Sequence, residues 1–576
     1  MPFISLCHSK KTRIALAVIS LSVSTQVFAQ VDAGALQQNL EKQLPLPSPL
    51  ALPEPTSREG ARPGEVRKDE LTFQVKKFVL EGISILPEAS IQEVLKPWVG
   101  RAVNFDDLQK ACDAVVDFYR KSGYTVQAIL PPQKIANGVV KILVTEAKLS
   151  SVIVDTPNGP TRFSKETAAE YITYANPLGQ PLNTQAVERA LIILNETPGV
   201  IVSSQLESGE RDGETALRLQ LTEPQWYQGR VEANNYGSRT TGANQGVIAL
   251  SGINPLGIGD QISVNGIYAE GSQYVQGAYS LPVSKDGLRL GVAGTFLNYK
   301  NVSSYANTAN AGYGDAWTTG VSAAYPMVRS QGTNVNMTAN YDIKEYTNKN
   351  SQTLTTISAY NIRNATIGIS GNHYDSMAGG GISSGSLAAV FGNLDILSNS
   401  VVSGQYTPSS FTKLTFAGNR TQQLSGDGAT TAYVSVSGQL SSVNLNSAEQ
   451  IYMGGPYAVR AYPVAQGGGS QGGIGTIELR HQLPERITAS MFYDVGLVQQ
   501  YKNTYPTWQG QTNANNTYSL QGAGLGLKWD WEGWNLGAMV AWQIGKNPLY
   551  SSTGQQVATD GTTTNPRGWF TGSYQF

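Results

Sequence analysis

The side chains that most often carry out catalysis or bind metals are few in this chain and far apart. Its histidines are His8, His373 and His481, none of which has a partner at the spacing of a zinc site, and its cysteines are Cys7 and Cys112. Cys112 falls on the apolar face of a predicted helix, where a thiol is usually part of the core. The sequence therefore predicts no catalytic residue, no metal site and no cofactor, and it does not suggest an enzyme.

The charged residues with the clearest chemistry are Arg460 and Asp494. Arg460 lies in the segment 454–462, and Asp494 lies on a predicted strand whose residues Met491 and Tyr493 point to the opposite face. A guanidinium removed from water needs a carboxylate, which can accept two parallel hydrogen bonds from it. Residue spacing alone favours the simpler interpretation that Arg460 is one of many solvated charges.

The last eleven residues, 566–576, indicate which element would position such a pair. Phe570, Tyr574 and Phe576 alternate with polar residues, and Trp569 is the aromatic exception on the polar face. A strand with one apolar and one polar face, ending on an aromatic residue, is typical of a closed barrel with lipid outside and water inside.

The same alternation recurs from residue 224 to residue 576, for example in 334–343 and 523–529. At about 22 residues per strand and connection, this region accommodates sixteen antiparallel strands. A soluble β-sandwich also alternates, but it would carry charges on its outer face. Only 14% of the 576 residues are charged, and no apolar run is long enough for a transmembrane helix, so we predict a transmembrane β-barrel.

The N-terminus has the three parts of a secretory signal peptide. Basic residues from Lys10 to Arg13 precede an apolar run, 14–23, and small residues lead to Ala29. A membrane-anchoring helix would need about 20 apolar residues. We predict a signal peptide over residues 1–29, whose removal leaves Cys112 without a disulfide partner.

Residues 30–46 are predicted to contain a short helix, because Leu36, Leu40 and Leu44 recur at helical spacing. The proline-rich residues 47–70 then form a predicted semi-rigid linker. A helix this short is marginal in water by itself, so it must dock on another part of the molecule.

Two units of the same element order fill residues 71–147 and 148–223. Each is predicted as a small α+β domain of strand, helix, helix, strand and strand. The predicted elements of the first are 73–82, 87–98, 104–123, 126–131 and 139–145, and those of the second are 149–154, helices beginning at Ser164 and Asn183, 200–206 and 215–221.

This order of parts resembles the TpsB transporters of two-partner secretion, in the POTRA-plus-barrel superfamily that includes BamA. The two α+β units resemble POTRA domains, one segment is similar to the V-R-G-Y motif of a loop inside the barrel, and another is similar to the F-x-D-x-G motif of a barrel strand. The matching residues are Gly455, Val459, Arg460, Tyr462, Phe492, Asp494 and Gly496. Ala461 stands where the family has glycine, so a positive φ there would be costly, although we expect the loop conformation to survive.

The resemblance implies an outer-membrane protein that recognises a large TpsA-type partner in the periplasm and exports it to the cell surface. It implies that Arg460 and Asp494 hold the loop against the barrel wall, with Glu478 and Arg480 as further members of the network. It also implies that the helix of Leu36, Leu40 and Leu44 plugs the resting pore.

Three further expectations concern partners. The outside of the barrel would contact outer-membrane lipid, and Phe576 would be the signal read by the barrel assembly machinery. The net charge of -1 argues against nucleic acid.

An assembly factor similar to BamA or TamA remains an alternative, as does a passive porin, although a porin would not need two periplasmic domains.

Overall fold

The structure is a computed structural model, which describes residues 32–44, 72–135, 137–211, 213–302, 311–399, 406–506, 508–509, 515–550, 554, 556 and 558–576. The predicted signal peptide and the predicted 47–70 linker lie outside the described residues. The described chain consists of one short helix, two small α+β domains and a closed β-barrel, which confirms the predicted fold class. No described helix is both long enough and apolar enough to cross a bilayer.

Helix α1, Ala33–Glu41, is shorter than predicted. It begins after Asp32, whose carboxylate accepts a hydrogen bond from the Ala35 N–H at 2.9 Å, as an N-cap should. It ends at Glu41, so Leu44 lies beyond the last turn rather than on the predicted apolar stripe. Leu36 and Leu40 are buried, and Leu44 is partly buried against the same cluster.

Domain 1, residues 72–147, has two strands more than predicted. Residues 73–82 do not form one strand, because the inward-facing Val75 and Phe78 are three residues apart and a continuous strand would place them on opposite faces. The elements are instead β1 (Phe73–Gln74), β2 (Lys77–Glu81), α2 (Glu88–Leu95) followed by a 3-10 turn (Lys96–Trp98), β3 (Ala102–Val103), α3 (Phe105–Lys121), β4 (Val126–Ile129) and β5 (Val139–Glu146). Strand β1 pairs with β3, while β2 pairs in parallel with β5, which also pairs with β4.

Domain 2, residues 148–223, repeats the three-stranded sheet of domain 1, with a parallel pair and an antiparallel pair sharing the central strand, Glu214–Thr222. The side chains of Ser164 and Asn183 cap its two helices, as their positions predicted. The elements are β6 (Lys148–Asp155), α4 (Lys165–Ala175), α5 (Thr184–Asn195), β7 (Ile201–Ser208) and β8 (Glu214–Thr222).

A buried carboxylate organises the core of domain 1. Glu146 accepts hydrogen bonds from the backbone N–H groups of Ser84 at 2.8 Å and Ile85 at 2.9 Å, from the Tyr119 hydroxyl at 2.9 Å, and from the Ser84 hydroxyl. Burial raises the pKa of the Glu146 carboxyl, but these hydrogen bonds outweigh that effect and lower the pKa below its usual value. The ionised form therefore stabilises the domain.

Replacing Glu146 with glutamine is expected to lower the free energy of unfolding of the two-domain fragment by about 2 kcal/mol at neutral pH. A lowered pKa stabilises the fold only at higher pH, so this contribution disappears as the pH falls through the pKa of folded Glu146, and the two proteins converge in acid. Urea unfolding measures both effects. Glu93→Gln is the control, because Glu93 pairs with Lys96 in the open. Equal losses in the two variants would contradict the prediction.

The barrel has sixteen antiparallel strands, which confirms the predicted number. Two further short strands pair with each other inside it. The strands are β9 (Tyr227–Asn234), β10 (Gln245–Ile253), β11 (Gln261–Ala269), β12 (Ser272–Pro282), β13 (Arg289–Lys300), β14 (Gly312–Arg329), β15 (Thr333–Asn350), β16 (Thr356–Asp375), β17 (Gly381–Asn399), β18 (Ser410–Gln423), β19 (Thr430–Ser441), the internal pair β20 (Ile451–Tyr452) and β21 (Gly468–Gly469), β22 (Gln471–Leu483), β23 (Ile487–Gln499), β24 (Thr517–Trp531), β25 (Trp534–Ile544) and β26 (Arg567–Gln575).

The last strand closes the barrel by pairing with the first. The register between β26 and β9 runs from Thr571 opposite Asn234 to Gln575 opposite Arg230, the shortest ladder around the barrel. Phe576 extends this pairing, since its backbone N–H and carbonyl both bond to Gly229 at 2.9 Å. Its ring is 47% exposed on the outer face. The C-terminal aromatic residue therefore belongs to the closing seam.

Domain 2 is fastened to the barrel end at which β9 begins. The guanidinium of Arg329, at the end of β14, pairs with Glu196 at 2.7 Å. Arg189 on α5 donates to the Pro326 carbonyl, also at 2.7 Å. These bonds fix domain 2 beside the turns between strands, so it stands at the entrance of the lumen.

Candidate functional site: the loop and the helix inside the barrel

Residues 442–470 connect β19 to β22 and fold back into the barrel; we call them the lumen loop. The short hairpin of β20 and β21 forms its base. Gly455 has φ of 122°, a conformation that only glycine adopts without strain. Val459 and Tyr462, at 0% and 1% exposure, are buried in one cluster with Phe492 on β23 and Leu520 on β24.

Arg460 binds Asp494 through both edges of the carboxylate. The Arg460 Nε donates to Asp494 Oδ2 at 2.9 Å, Nη2 donates to Oδ1 at 2.8 Å, and the Arg460 backbone N–H donates to Oδ2 at 3.1 Å. Thr476 on β22 donates a further bond to Oδ1 at 2.9 Å. Asp494 is fully buried and Arg460 is 8% exposed, so the pair is not one of solvated charges. Its geometry is that of a bidentate, charge-assisted anchor.

Glu478 and Arg480 on β22 extend the anchor. Arg460 Nη1 donates to Glu478 Oε2 at 2.9 Å, and Arg480 Nε donates to Glu478 Oε1 at 2.8 Å. The Arg460 guanidinium also lies over the Phe492 ring, 3.3 Å from its centroid. Gly496 leaves the room that the loop needs, since a Cβ there would lie 3.0 Å from Val459 Cγ2. The structure thus brings the two predicted motifs together with Glu478 and Arg480.

Ala461 does not carry the backbone cost that a positive φ would impose. Among the described residues, Ala465 is in the left-handed region within this loop, with φ of 62°, but Ala461 is not. The Ala461 methyl group lies against Gly522 of β24, where an added Cβ would be 2.6 Å from Ala461 Cβ. The methyl group of Ala461 therefore fits only because residue 522 is a glycine.

Trp569 is a member of this site that sequence reasoning missed. Its indole N–H donates to the Arg460 carbonyl at 2.7 Å, and its ring packs edge-on against Tyr236, 5.9 Å between centroids. Tyr236 in turn packs against Tyr457 of the lumen loop. In the sequence, Trp569 is the aromatic exception on the polar face of the last strand. That exception was the signal that could have placed Trp569 in the site.

A second anchor, also not predicted, holds the other end of the lumen loop. Glu449 is 2% exposed and lies between two wall lysines, Lys344 at 2.9 Å and Lys413 at 2.7 Å. Asn364 donates to the same carboxylate at 2.8 Å. The signal in the sequence was two lysines on lumen-facing positions of a barrel with few charges.

Helix α1 lies inside the barrel against β13, β14, β15 and the lumen loop. The Gln37 amide donates to Thr295 Oγ1 and Thr318 Oγ1, both at 3.0 Å, and the Ala33 N–H donates to Asn348 Oδ1 at 2.9 Å. The Gln38 amide donates to the Ala448 carbonyl of the loop. The short helix therefore docks on the lumen wall and on the lumen loop.

The apolar side of α1 meets an unexpected feature of the lumen wall. Leu36 and Leu40 belong to one buried cluster with side chains from successive wall strands. We call this feature the apolar belt; its central members are Ile267, Tyr274, Leu297, Tyr299, Tyr346 and Tyr360. The lumen wall is therefore not polar throughout, although the alternation in the sequence places polar side chains on the inner face of the strands.

The described histidines and the described cysteine are not among the residues that bind Arg460, although His481 directly follows Arg480 on β22. His373 and His481 pair with Thr333 and Thr430 at 2.8 Å and 2.9 Å near the turns between strands. Cys112 is fully buried in domain 1, and burial together with the charge of Asp113 raises the pKa of its thiol to about 11. Within the described residues, no three acidic, His or Cys side chains are grouped as metal ligands.

A closed sixteen-stranded barrel that is apolar outside, carries two α+β domains at its entrance and holds a loop and a helix inside defines an outer-membrane protein of the POTRA-plus-barrel class. The family profile described as haemolysin secretion/activation protein ShlB/FhaC/HecB matches residues 213–529, and that of the ShlB-type POTRA domain matches residues 73–147. The chain belongs to the ShlB/FhaC/HecB family, which confirms the resemblance to TpsB transporters. Its barrel spans the outer membrane and its POTRA domains lie in the periplasm.

Individual relatives agree with this family. The chain is 25% identical over 529 residues to the heme/hemopexin transporter protein HuxB of Haemophilus influenzae, covering 88% of this chain and 90% of that protein. It is 27% identical over 264 residues to the outer membrane transporter CdiB of Escherichia coli, covering 44% and 42%. The solved structure of CdiB from Escherichia coli has the same fold, with a TM-score of 0.71, 20% identity and coverage of 94% and 95%.

Gly522→Ala is expected to release the lumen loop, because the new methyl group would overlap Ala461 and overpacking of this kind costs about 1–3 kcal/mol. The measurement is the rate of trypsin cleavage after Arg460 in the purified protein, which should rise about tenfold or more. The double variant Ala461→Gly with Gly522→Ala should restore protection, because it moves the methyl group from one side of the contact to the other. Equal cleavage of the single and double variants would contradict this packing.

Proposed function

We propose that this protein exports one large TpsA-type partner, which its POTRA domains capture unfolded in the periplasm and pass through the barrel. The observation that carries the proposal is α1 in the lumen, because a helix held by Leu36, Leu40 and a few hydrogen bonds is a removable plug. An exposed sheet edge in a POTRA domain can bind an extended segment by adding a strand, with backbone hydrogen bonds providing affinity. The transporter hydrolyses no nucleotide and is not an enzyme; folding of the partner outside the cell provides the direction.

In this proposal the Arg460, Asp494 and Glu478 network is a positioning device rather than a reactive centre. It holds the lumen loop against β22 and β23 so that the pore keeps one shape at rest. The outer face of the barrel contacts outer-membrane lipid, the C-terminal strand with Phe576 is the part that the barrel assembly machinery reads, and nucleic acid is not a partner.

The experiment is deletion of this gene in its own host. Loss of one large secreted protein from the medium, with normal amounts of other outer-membrane proteins, is the expected result. A general loss of outer-membrane proteins would favour the alternative, an assembly factor similar to BamA or TamA. The structural likeness to BamA from Haemophilus ducreyi, at 13% identity and a TM-score of 0.50, concerns the fold.

A further inference from the structure

The turn between β10 and β11, residues 254–260, has a fixed shape and exposed apolar side chains. Asn254 and Asp260 at its two ends are fully buried. The Asn254 side chain accepts a hydrogen bond from a backbone N–H of the turn at 2.7 Å, and the Asp260 carboxylate accepts one from the Leu256 N–H at 3.1 Å. Leu256 is nevertheless 69% exposed, and Ile258 is exposed as well. A backbone held by these bonds presents both apolar side chains to their surroundings.

The same turn is bonded to domain 2. The Arg162 guanidinium donates to the Ile253 carbonyl at 3.3 Å, and the Asn254 amide donates to Glu223 Oε1 at 3.4 Å. The two backbones also approach closely, since a Cβ on Gly257 would lie 2.7 Å from the Arg162 carbonyl oxygen. A surface that binds the turn would therefore also hold domain 2.

The turn directly follows the lipid-facing surface of the barrel. Tyr227 on β9 and Ile262 on β11 both lie opposite Gly252 on β10, so their side chains are on one face. Both are exposed, as is Val264 at the next alternate position of β11. Trp226, 57% exposed, packs edge-on against Tyr227 with 5.2 Å between the ring centroids. Aromatic residues in this position mark the membrane–water boundary of a barrel, and the turn lies immediately beyond it.

A basic side chain lies at the base of the turn. Arg162 is exposed, although it also bonds to the Ile253 carbonyl, and its Nε lies 3.6 Å from Glu223 Oε2. Apolar side chains beside an aromatic and a basic residue are the combination that binds a phospholipid surface. Continuity with a wall that already contacts lipid favours the membrane over a protein partner.

We propose that residues 226–227 and 254–260, which we call the periplasmic anchor, insert into the periplasmic leaflet of the outer membrane and hold domain 2 against the bilayer. In this arrangement Leu256 and Ile258 lie at the boundary of the acyl chains, and the Arg162 guanidinium faces phosphate. The occupant is the phospholipid surface rather than one lipid species. The bilayer thus sets the position of domain 2 at the lumen entrance, and this inference does not depend on export.

The test places a single new cysteine at Leu256 or, as a control, at Leu178 in the full chain. Leu178 is 52% exposed on domain 2, at the end that adjoins domain 1, where the Gly179 N–H donates to the Leu149 carbonyl at 2.7 Å. Cys112 is buried and does not react with a label. Each variant is labelled with an environment-sensitive fluorophore and reconstituted into bilayers of phosphatidylethanolamine and phosphatidylglycerol. Brominated acyl chains should quench the label of Leu256→Cys about threefold more than that of Leu178→Cys.

Equal quenching at the two sites, with normal heat-modifiable migration of the barrel, would overturn the proposal. Shielding of the Leu256→Cys label in lipid-free amphipol that grows with protein concentration would also overturn it, because a second copy of the chain would then be the occupant. A second measurement places the label at Trp226→Cys. Leu256→Ser combined with Ile258→Ser should lower its quenching about twofold, because the turn then no longer inserts. Unchanged quenching would show that the turn does not hold this corner in the membrane, which contradicts the proposal.

Discussion

Arg460→Ala is expected to lower secretion of the partner at least tenfold while the barrel still assembles. The substitution leaves Asp494 fully buried without the two side-chain bonds it accepts at 2.8 and 2.9 Å. Removing one partner of a buried ion pair typically costs about 3–5 kcal/mol, which would shift the loop from bound to released by roughly a hundredfold or more. The measurement is the amount of partner in the medium, normalised to the amount of folded barrel.

Two further variants separate the anchor from a general effect of lost charge. Arg460→Lys should give an intermediate result, because an ammonium cannot bind both edges of Asp494 and also reach Glu478. Arg420→Ala removes a similar bidentate pair, Arg420 with Asp375 at 2.7 Å, which does not touch the lumen loop. Secretion should remain near normal in that control. Equal secretion defects in Arg420→Ala and Arg460→Ala would show that Arg460 does not act on secretion by holding the lumen loop.

Gly34→Val is expected to open the resting pore. A Cβ on Gly34 would lie 2.8 Å from the Cα of Ala448, so the helix could not stay against the lumen loop. Losing that position also uncovers Leu36 and Leu40, whose burial is worth about 1.5–3 kcal/mol each. Ion conductance of the purified protein in planar bilayers, and entry of large antibiotics into cells, should both rise severalfold.

The contact between Gly34 and Ala448 can also be tested by changing Ala448. Gly34→Ala should also raise conductance, and adding Ala448→Gly should partly reverse the rise, because the second change removes the methyl group that the first one meets. Lys42→Ala, at the exposed end of the helix, should leave conductance unchanged. A conductance in Gly34→Val equal to that of the unaltered protein would mean that α1 does not close the pore.

Much of the fold was predictable because its signals are local. Alternation of side chains identified the barrel, and dividing its length by a typical strand and turn gave sixteen strands. The cap residues Ser164 and Asn183 marked their helices for the same reason. The predicted strand over residues 73–82 was wrong because Val75 and Phe78 both point into the core, which a continuous strand does not allow. The predicted length of α1 was wrong because contacts with the barrel, rather than helix propensity, decide where the helix ends.

The site was predictable only in part, because its contacts join residues that are far apart in the sequence. Resemblance to a motif paired Arg460 with Asp494, but nothing in the sequence joins Trp569 to the Arg460 carbonyl 109 positions away. Glu449 and its two lysines are likewise brought together by barrel closure alone. The apolar belt escaped notice because single apolar residues on lumen-facing positions of many strands form a surface only when the strands are side by side.

The covalent path from α1 to domain 1 has a consequence for how the pore closes again. Residues 45–71 join a helix in the lumen to the strand that begins at Phe73, and a chain of that length can reach roughly 90 Å when extended. A helix tethered by a flexible segment of this length has an effective concentration at its binding site on the order of millimolar. In the proposed export cycle, each channel would therefore be closed again by its own helix after every passage, and a free peptide of the same sequence at micromolar concentration would not compete.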